Sequence, residues 1–493
     1  MPRNVAPIAV VAAALAAGVM SAHAANPLTL APETPTRPWP LPDMGATTST
    51  AEVAPPSAFE PGKTYDLPAL IDLAQRSNPT TREAWERARQ AALAVGLVES
   101  SYLPELSVEA LGGYQRTPLP IPSSLISKGY FTSETREIVP SLALKWLLFD
   151  FGRREHAEDA ARANSFVANV TFTGAHQKLI FAVSRDYYAF GSSRDKRRAA
   201  EKALQTAEID FAAVEAHRAN GLATSVDMAH AQRQVAQARF NFARASGGER
   251  TSRAALLADV GVPPTIEFEI AEEAAGVMPR TPVETVDRYV AQALTNRPDI
   301  LADLAHERAA HATLEKERAE HRPTVSLVAQ AYQNIGALSS DGSPYSHVNK
   351  PGGALFVQFS MPLFDGGRRD MQAAIARSEI DASADQTEAA RHKATREVVD
   401  AYNGLTTALA EHDAAITVAE AARTAHDAGL ESYRHGLGTY TTLMDDENAL
   451  AQAETELADT RANVRTAAAA LAFSTGSIDA RCQQPLGCGR SER

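Results

Sequence analysis

Side chains that could carry catalysis are present, but their spacing is better explained by chance than by a catalytic site. Ser193 and Lys196 have the S-x-x-K spacing of acyl-transfer enzymes, but both fall in a long proline-free segment that we expect to be helical. The 13 histidines show no ligand spacing, and the H-E-x-x-H, G-x-S-x-G and Walker A motifs do not occur. We therefore expect no catalysis, no cofactor and no metal centre.

Two glycine-containing turns beside arginines could form ligand loops. They are LLFDFGRRE at 147–155 and PLFDGGRRD at 362–370. Each follows an apolar strand-like stretch and precedes an alanine-rich segment, where an aspartate can cap a new helix and glycine permits a sharp turn. We interpret both as strand-to-helix junctions, formed by Asp150, Gly152 and Arg153 in the first and by Asp365, Gly366, Gly367 and Arg368 in the second.

The landmarks of this sequence occur twice in one order. The separation of Pro79 from Pro298 equals that of Pro104 from Pro323. The two junctions are separated by slightly fewer residues than the two proline pairs are. NGLATS at 220 and HGLGTY at 435 have the same separation as the junctions. Such agreement indicates two copies of one unit of about 215 residues.

Each copy predicts the same elements. A helix of about 30 residues, at 67–100 and 286–319, ends before a proline. Two strands follow, at 106–115 and 142–148 and at 325–333 and 357–363. Proline-free segments at 154–218 and 369–434 then have room for helices on the order of 100 Å. Return helices are expected at 223–246 and 439–473, and Gly247 and Gly248 together with GVPPT at 261 then end the first copy.

The long segment of the second copy has an apolar seam. Val398, Leu405, Leu409 and Ile416 follow one another at spacings of seven, four and seven residues. This pattern is typical of coiled-coil packing, and the neighbouring alanines let helices approach closely.

The second strand of each copy alternates large apolar residues with others, which gives it one apolar face. The face comprises Leu142, Leu144, Trp146 and Leu148 in the first copy and Val357, Phe359, Met361 and Leu363 in the second. Strands of about ten residues with such a face fit a transmembrane β-barrel. A half-buried soluble sheet has the same local pattern.

The N-terminal residues favour the membrane alternative. Residues 1–24 combine Arg3, an apolar run and an A-x-A cleavage site, as secretory signal peptides do. We expect strands to cross the membrane, with Leu142 and its companions facing lipid and the junction arginines lying where the chain leaves lipid for water. Open strand edges in lipid would leave backbone groups unsatisfied, so four strands must meet other copies of the chain in one shared barrel.

Charge and cysteine content limit the remaining possibilities. A formal net charge of -12 argues against nucleic acid as a partner. Cys482 and Cys488 either close a small disulfide loop or remain free thiols in the tail. The predicted domains are the signal peptide 1–24, a proline-rich arm 25–64, repeat one 65–262, a linker 263–284, repeat two 285–473 and a tail 474–493.

These features together resemble the outer membrane factor family, the TolC-like channels of export systems. The resemblance covers about residues 65 to 473 and lies in the order of short helix, strand pair, FDxGR junction, very long helix and GLxT turn. It implies a homotrimer in the outer membrane, whose four strands per subunit make a twelve-stranded barrel continued by a periplasmic barrel of helices. It also implies a passive exit duct for efflux or type I secretion, which docks to a periplasmic adaptor and an inner-membrane transporter of the RND or ABC type.

The resemblance places an aperture at the two GL turns. Asp227 and Tyr433 match residues that hold the helix pairs together there, while Gly438 stands at the position of an arginine, for which Arg434 or His435 could substitute. Asp445 matches an aspartate of an acidic ring that faces the pore, with Asp446 beside it, and such a ring would favour cations. An exposed acidic helix start is the other interpretation of this segment.

Two further classes of protein share some of these features. A periplasmic adaptor has a long helical hairpin, but only one, between lipoyl-like β halves. A structural coiled-coil protein of the cell envelope would explain the helices but not the duplicated strand pairs or junctions.

Overall fold

The computed structural model describes residues 34, 36, 64–122, 128–221, 223–265, 268–271, 281–435 and 437–478. The expected signal peptide, nearly all of the proline-rich arm and both cysteines lie outside these residues. The described chain forms two units. A sheet unit contains Gln90–Ser165 and Ala305–Ala384, and a helical unit contains Phe166–Leu304 and the described residues before 90 and after 384.

The same elements follow one another in both halves of the chain. The first half contains β1 (Thr64–Tyr65), α1 (Leu67–Ser77), α2 (Pro79–Ser100), β2 (Glu105–Pro120), β3 (Tyr130–Phe149), α3 (Arg153–Ala219) and α4 (Ser225–Val260). The second contains β4 (Glu269–Ile270), α5 (Val286–Asn296), α6 (Pro298–Ala319), β5 (Thr324–Ser340), β6 (Ser346–Ser360), α7 (Arg368–Arg434) and α8 (Tyr440–Ser474). Helices α5 and α6 follow α1 and α2 at one common separation, whereas α7 and α8 follow α3 and α4 at the slightly smaller one seen in the sequence. No helix among the described residues is long and apolar enough to cross a membrane.

The sheet unit is built on four antiparallel strands in the order β2-β3-β5-β6. Its strands contain 15 to 20 residues, which is longer than the ten expected from the alternating segments alone. Trp146 lies opposite Leu327, and Leu327 lies opposite Val357. Because directly paired residues point to one side of a sheet, apolar residues from both repeats share a face.

Two details of the predicted apolar face are corrected by the strand pairing. Strand β6 ends at Ser360, so Met361 and Leu363 lie beyond it, and Pro362 has no N–H to continue the pairing. In β3 the register shifts between Leu147 and Phe149, because Leu147 pairs with Ser326 and Phe149 with Val325. This bulge removes Leu148 from the pairing and gives Phe149 its place on the apolar face.

The helices that open each repeat are each divided in two, where the sequence predicted one. Asn78 and Arg297 separate the halves with φ and ψ of −69° and 126° and of −68° and 128°. The proline that follows each residue disfavours helical backbone before it, so the chain is extended for one residue and then begins a new helix. The first return helix departs from prediction in the opposite way, since α4 continues through Gly247 and Gly248 to Val260.

Two apolar cores of the helical unit are built mainly on the helices of one half of the chain each. In the first half Leu70 of α1, Val183 of α3 and Leu256 of α4 are buried together. In the second half Tyr289 of α5 packs against α7 and α8. The predicted apolar seam of α7 contributes to this second core only in part. Val398 and Leu405 are fully buried in it, whereas Ile416 is 38% exposed.

Candidate functional site

The two helical hairpins of the chain pack together at their turns, in what we call the tip cluster. The first turn joins α3 to α4 near residue 221, and the second joins α7 to α8 near residue 436. Each of the four helices contributes an apolar or aromatic residue, and Tyr440 is only 8% exposed. The members are Phe211, Val214, Ala223, Ala231, Tyr433, Tyr440 and Met444.

Asp227 is bonded within the first turn of its own helix. Its Oδ2 accepts from the backbone N of Thr224 at 2.9 Å and from the Thr224 hydroxyl at 2.7 Å, while the Asp227 N–H donates to Thr224 Oγ1 at 3.1 Å. This capping box satisfies N–H groups that the helix leaves without internal partners. The Thr224 N–H lowers the pKa of Asp227 most, and the Thr224 hydroxyl contributes further. Asp227 is therefore a carboxylate at neutral pH.

Tyr433 lies in the tip cluster, with its ring centroid 5.8 Å from that of Tyr440. Burial raises the pKa of Tyr433, so its hydroxyl stays protonated. The turn that follows is tight, because the N–H of Gly438 donates to Ser432 O at 3.1 Å. A Cβ on Gly438 would lie 3.2 Å from the Tyr433 nitrogen, closer than most such contacts.

The two basic residues expected to replace an arginine at this turn lie beside Glu431. Arg434 Nη1 lies 3.0 Å from Glu431 Oε1, and His435 Nε2 lies 3.7 Å from Glu431 Oε2. Both pairs lie on the exposed end of α7. Within the described residues both side chains lie beside Glu431 of their own hairpin, and their substitution for the arginine expected at the position of Gly438 stays a prediction.

The acidic residues at the start of α8 face three different environments. Asp445 is exposed. Asp446 is half-buried, and its carboxylate lies against α7 where Gly429 leaves room for it. Glu447 is directed towards Asp210 of α3, within hydrogen-bonding reach of that side chain. The run thus contains an exposed carboxylate and two that contact neighbouring helices.

Asp210 and Glu447 form a carboxyl pair between the two hairpins. Burial, followed by the charge of Asp210 and the hydrogen bond to it, raises the pKa of Glu447 to about 8. Burial also raises the pKa of Asp210, against the opposing effects of its hydrogen bond with Glu447 and, after that, of His426. Asp210 Oδ2 is buried and receives no bond from a described N–H or hydroxyl donor. Two carboxylates can only accept, so their hydrogen bond requires a shared proton at neutral pH.

Tyr440 completes the polar part of the tip cluster. Its Oη is buried without a hydrogen-bond partner among the described residues. Burial raises the pKa of Tyr440, and the nearby charges of Asp210 and Glu447 raise it further. The structure thus places a neutral phenol and a carboxyl pair that holds a proton where α3, α7 and α8 meet.

Sequence reasoning missed the carboxyl pair. Glu447 was adjacent to the predicted acidic pair, but Asp210 belongs to the other half of the chain and to a segment without a recognisable motif. Only the packing of α3 against α8 brings the two residues together. The position of Asp210 between Ile209 and Phe211 was the signal available.

The strand-to-helix junctions use the second arginine of each RR pair. Arg154 Nε lies 2.9 Å from Asp150 Oδ2, and its guanidinium also donates to Ser101 O at 3.0 Å and to Leu147 O at 2.9 Å. Arg369 Nε lies 2.7 Å from Asp365 Oδ2 in the second junction. These buried arginines fasten the start of each long helix to the strand before it. The sequence had assigned the junctions to their neighbours Arg153 and Arg368.

The predicted glycines form the turns of both junctions. Gly152 has a φ of 99°, and Gly366 and Gly367 have φ values of 74° and 84°. Side chains disfavour this left-handed backbone, which explains why glycine occupies the positions between strand and helix.

Comparison with known proteins places both halves of the chain in one family. Residues 70–262 and 289–477 match the family described as Outer membrane efflux protein. Protein CyaE of Bordetella pertussis is 28% identical over 415 residues, which cover 83% of each chain. The outer membrane protein OprJ of Pseudomonas aeruginosa is 24% identical over 392 residues, which cover 78% of each.

Solved structures show the same fold at lower identity. The CmeC outer membrane channel of Campylobacter jejuni has a TM-score of 0.67 at 16% identity, and the match covers 88% of this chain and 94% of that one. This likeness agrees with the family match, which extends over most of both repeats. The chain is therefore a member of the outer membrane efflux protein family and a protein of the outer membrane.

Proposed function

We propose that the chain forms a homotrimeric channel, the passive outer membrane exit duct of a tripartite efflux or type I secretion system. Twelve strands, four from each copy, make its barrel, and the long helices continue it as a tunnel through the periplasm. A periplasmic adaptor docks to the helices, and an inner-membrane transporter of the RND or ABC type supplies the substrate and the energy. The duct itself performs no catalysis, and the transporter selects the cargo.

The unpaired edges of the sheet are the observation that carries this proposal. Within the described residues, β2 pairs only with β3, and β6 pairs only with β5. In a membrane each unpaired backbone group costs several kcal/mol, so both edges require partners. A second copy offers β6 to β2 of the first, and a ring of copies satisfies every edge.

The domain division fits this role. Residues 1–24 direct export and are removed, while repeats 65–262 and 285–473 supply equivalent strands and helices on either side of the linker 263–284. In the barrel, Leu142, Leu144, Trp146, Val357 and Phe359 face lipid. Their shared side of the sheet supports this assignment.

We assign the aperture of the tunnel to the tip cluster and the acidic start of α8. Asp445 is exposed and lines the pore in this proposal, where three symmetry-related carboxylates attract cations. Tyr433 and the Asp210–Glu447 pair hold the two hairpins together on the other side. Asp227 fixes the start of α4, and Asp446 fixes α8 against α7.

Assembly and conductance test the proposal directly. Outer membranes from cells that express the full chain should contain a trimer that dissociates only on heating, visible as a shift in gel migration. The purified trimer should form ion-conducting channels in planar lipid bilayers. Monomer in the soluble periplasmic fraction without conductance would contradict the proposal and favour an adaptor or a coiled-coil envelope protein.

A further inference from the structure

A cleft lined by arginines lies in the sheet unit at the second strand-to-helix junction. It encloses about 260 Å³ between the start of α7, the end of β6 and the turn that joins α6 to β5. We call it the arginine cleft. Its charged lining consists of Arg153, Arg322, Arg368, Arg369, Glu320 and Asp365.

Positive charge exceeds negative charge in the arginine cleft. Arg369 is buried and paired with Asp365, whose pKa its hydrogen bond holds below the usual range, so the two charges cancel. Arg368 lies 3.7 Å from the same carboxylate and is 59% exposed. Arg153 and Arg322 have no ion pair with any described residue. Three arginines thus face Glu320 as the remaining carboxylate, beside the N-terminus of α7, which favours an anion further.

The geometry leaves guanidinium groups free to bind a ligand in the cleft. Arg322 donates from Nη1 to Phe151 O at 2.6 Å, which places its guanidinium between the two junctions. Arg368 donates from Nη1 to Gln372 Oε1 at 2.8 Å. Each guanidinium has five N–H donors, so both retain several for a phosphate, whose oxygens match their planar arrangement.

Large apolar side chains border the arginine cleft. Leu363 is 87% exposed and Phe364 is 88% exposed in the segment between β6 and α7, and Phe151 is also exposed. Exposed apolar residues next to arginines are typical of the boundary between lipid tails and headgroups. A free inorganic anion would leave these apolar side chains exposed to water, whereas the acyl chains of a lipid would cover them.

We propose that the arginine cleft binds the phosphate of an anionic phospholipid from the periplasmic leaflet, with the acyl chains against Leu363 and Phe364. Arg322 and Arg368 bind the phosphate oxygens, and Arg153 adds long-range attraction. The inference rests on the proposed function for its orientation in the membrane, because the strand ends must lie at the lipid surface. It adds a lipid site that fixes the height of the barrel in the bilayer.

Native mass spectrometry of the full-length trimer in detergent tests the site. The probes are phosphatidylglycerol, diacylglycerol with the same chains, and inorganic phosphate. We expect about one saturable phosphatidylglycerol per subunit. Weak diacylglycerol binding is expected, and inorganic phosphate should not displace the lipid. Binding of both lipids alike, or displacement by inorganic phosphate, would overturn the proposal.

Charge variants of the cleft decide which residues bind the lipid. Arg322→Gln and Arg368→Gln should each weaken phosphatidylglycerol binding about fivefold, as expected for one cation near an anionic headgroup. Arg322→Lys should retain more affinity than Arg322→Gln because it keeps the charge. Arg377→Gln is the matched control, since Arg377 is exposed on α7 and lies outside the cleft lining.

The comparison between these variants separates binding of phosphatidylglycerol at the arginine cleft from its general electrostatic attraction to any surface arginine. Equal losses in Arg377→Gln and Arg368→Gln, or none in either cleft variant, would overturn the proposal. Gel migration of each trimer checks that the variant has assembled. Conductance of the wild-type trimer tests the channel separately, so a conducting channel without specific lipid binding would reject the lipid site alone.

Discussion

The carboxyl pair between Asp210 and Glu447 gives the tip cluster a dependence on pH. A carboxyl group whose pKa is raised by folding binds a proton that the separated side chain would lose. The stability that this proton gives to the contact between the hairpins is therefore fully present below the ordinary carboxyl pKa. It is lost as pH rises through the pKa of the folded protein, which for Glu447 is about 8. Among the other titratable groups, His426 acts on Asp210, the charge of Asp210 acts on Tyr433 and Tyr440, and Asp227 acts on the same two tyrosines.

Glu447→Gln should remove most of this dependence, because an amide can donate to Asp210 at every pH. In single-channel recordings the wild type should open more often as pH rises from about 6 to 9. A contact weakened by on the order of 1 to 2 kcal/mol corresponds to about a tenfold change in open population. The variant should change much less.

Glu456→Gln is the control for this experiment. Glu456 lies on the same helix, is exposed and accepts a hydrogen bond from Gln452 one turn away. It should behave as the wild type does. An equally steep pH response in Glu447→Gln would show that the pair does not control opening.

Arg154→Gln should destabilise the assembled protein by on the order of 3 kcal/mol, because it leaves the Asp150 carboxylate buried without its cation. The measurement is the temperature at which the trimer dissociates on a gel. Arg162→Gln serves as a control, since Arg162 is 56% exposed and exposed ion pairs contribute little. An unchanged dissociation temperature in Arg154→Gln would contradict the structural role assigned to this arginine.

At the scale of elements, local sequence rules predicted the long helices well, but missed the true end of the return helix α4 and the bulge in β3. The proline-free segments indicated α3 and α7 to within a residue or two, since proline is excluded from helix interiors. Gly247 and Gly248 did not end α4, because packing along a long helix outweighs roughly 1 kcal/mol per glycine. The bulge at Leu148 was invisible because alternation assumes that every residue is paired.

Gly336 tests the packing of the two repeats in the sheet. A Cβ built there would lie 2.5 Å from the carbonyl oxygen of Arg136 on β3, which is too close. Because the neighbouring atom belongs to the backbone, the two strands would have to move apart. Gly336→Ala should therefore reduce the amount of trimer severalfold in outer membrane extracts.

Gly113→Ala is the matched control in the same sheet. A Cβ on Gly113 meets nothing within 4 Å, so this variant should assemble normally. Equal trimer levels in both variants would contradict the close approach of β5 to β3.

At the scale of the whole molecule, symmetry multiplies the effect of single charges. In the proposed trimer one substitution removes three carboxylates from one narrow pore. Asp445→Ala should therefore weaken cation selectivity, which the reversal potential in a salt gradient measures. Asp381→Ala, which removes an exposed carboxylate from the first third of α7, should leave the potential unchanged. Equal reversal potentials in the wild type and Asp445→Ala would remove Asp445 from the pore.

The pairing of β3 with β5 also determines when the sheet can form during biogenesis. Ser133 pairs with Ser340, which belongs to the second repeat and follows the whole first helical hairpin in the chain. The β2–β3 and β5–β6 hairpins can form locally, but the seam between them must wait until most of the polypeptide has been exported. Such distant pairing is slow, and an unpaired apolar strand aggregates readily in the meantime. The duplicated architecture therefore leaves β3 without its partner β5 until the second repeat is available to pair.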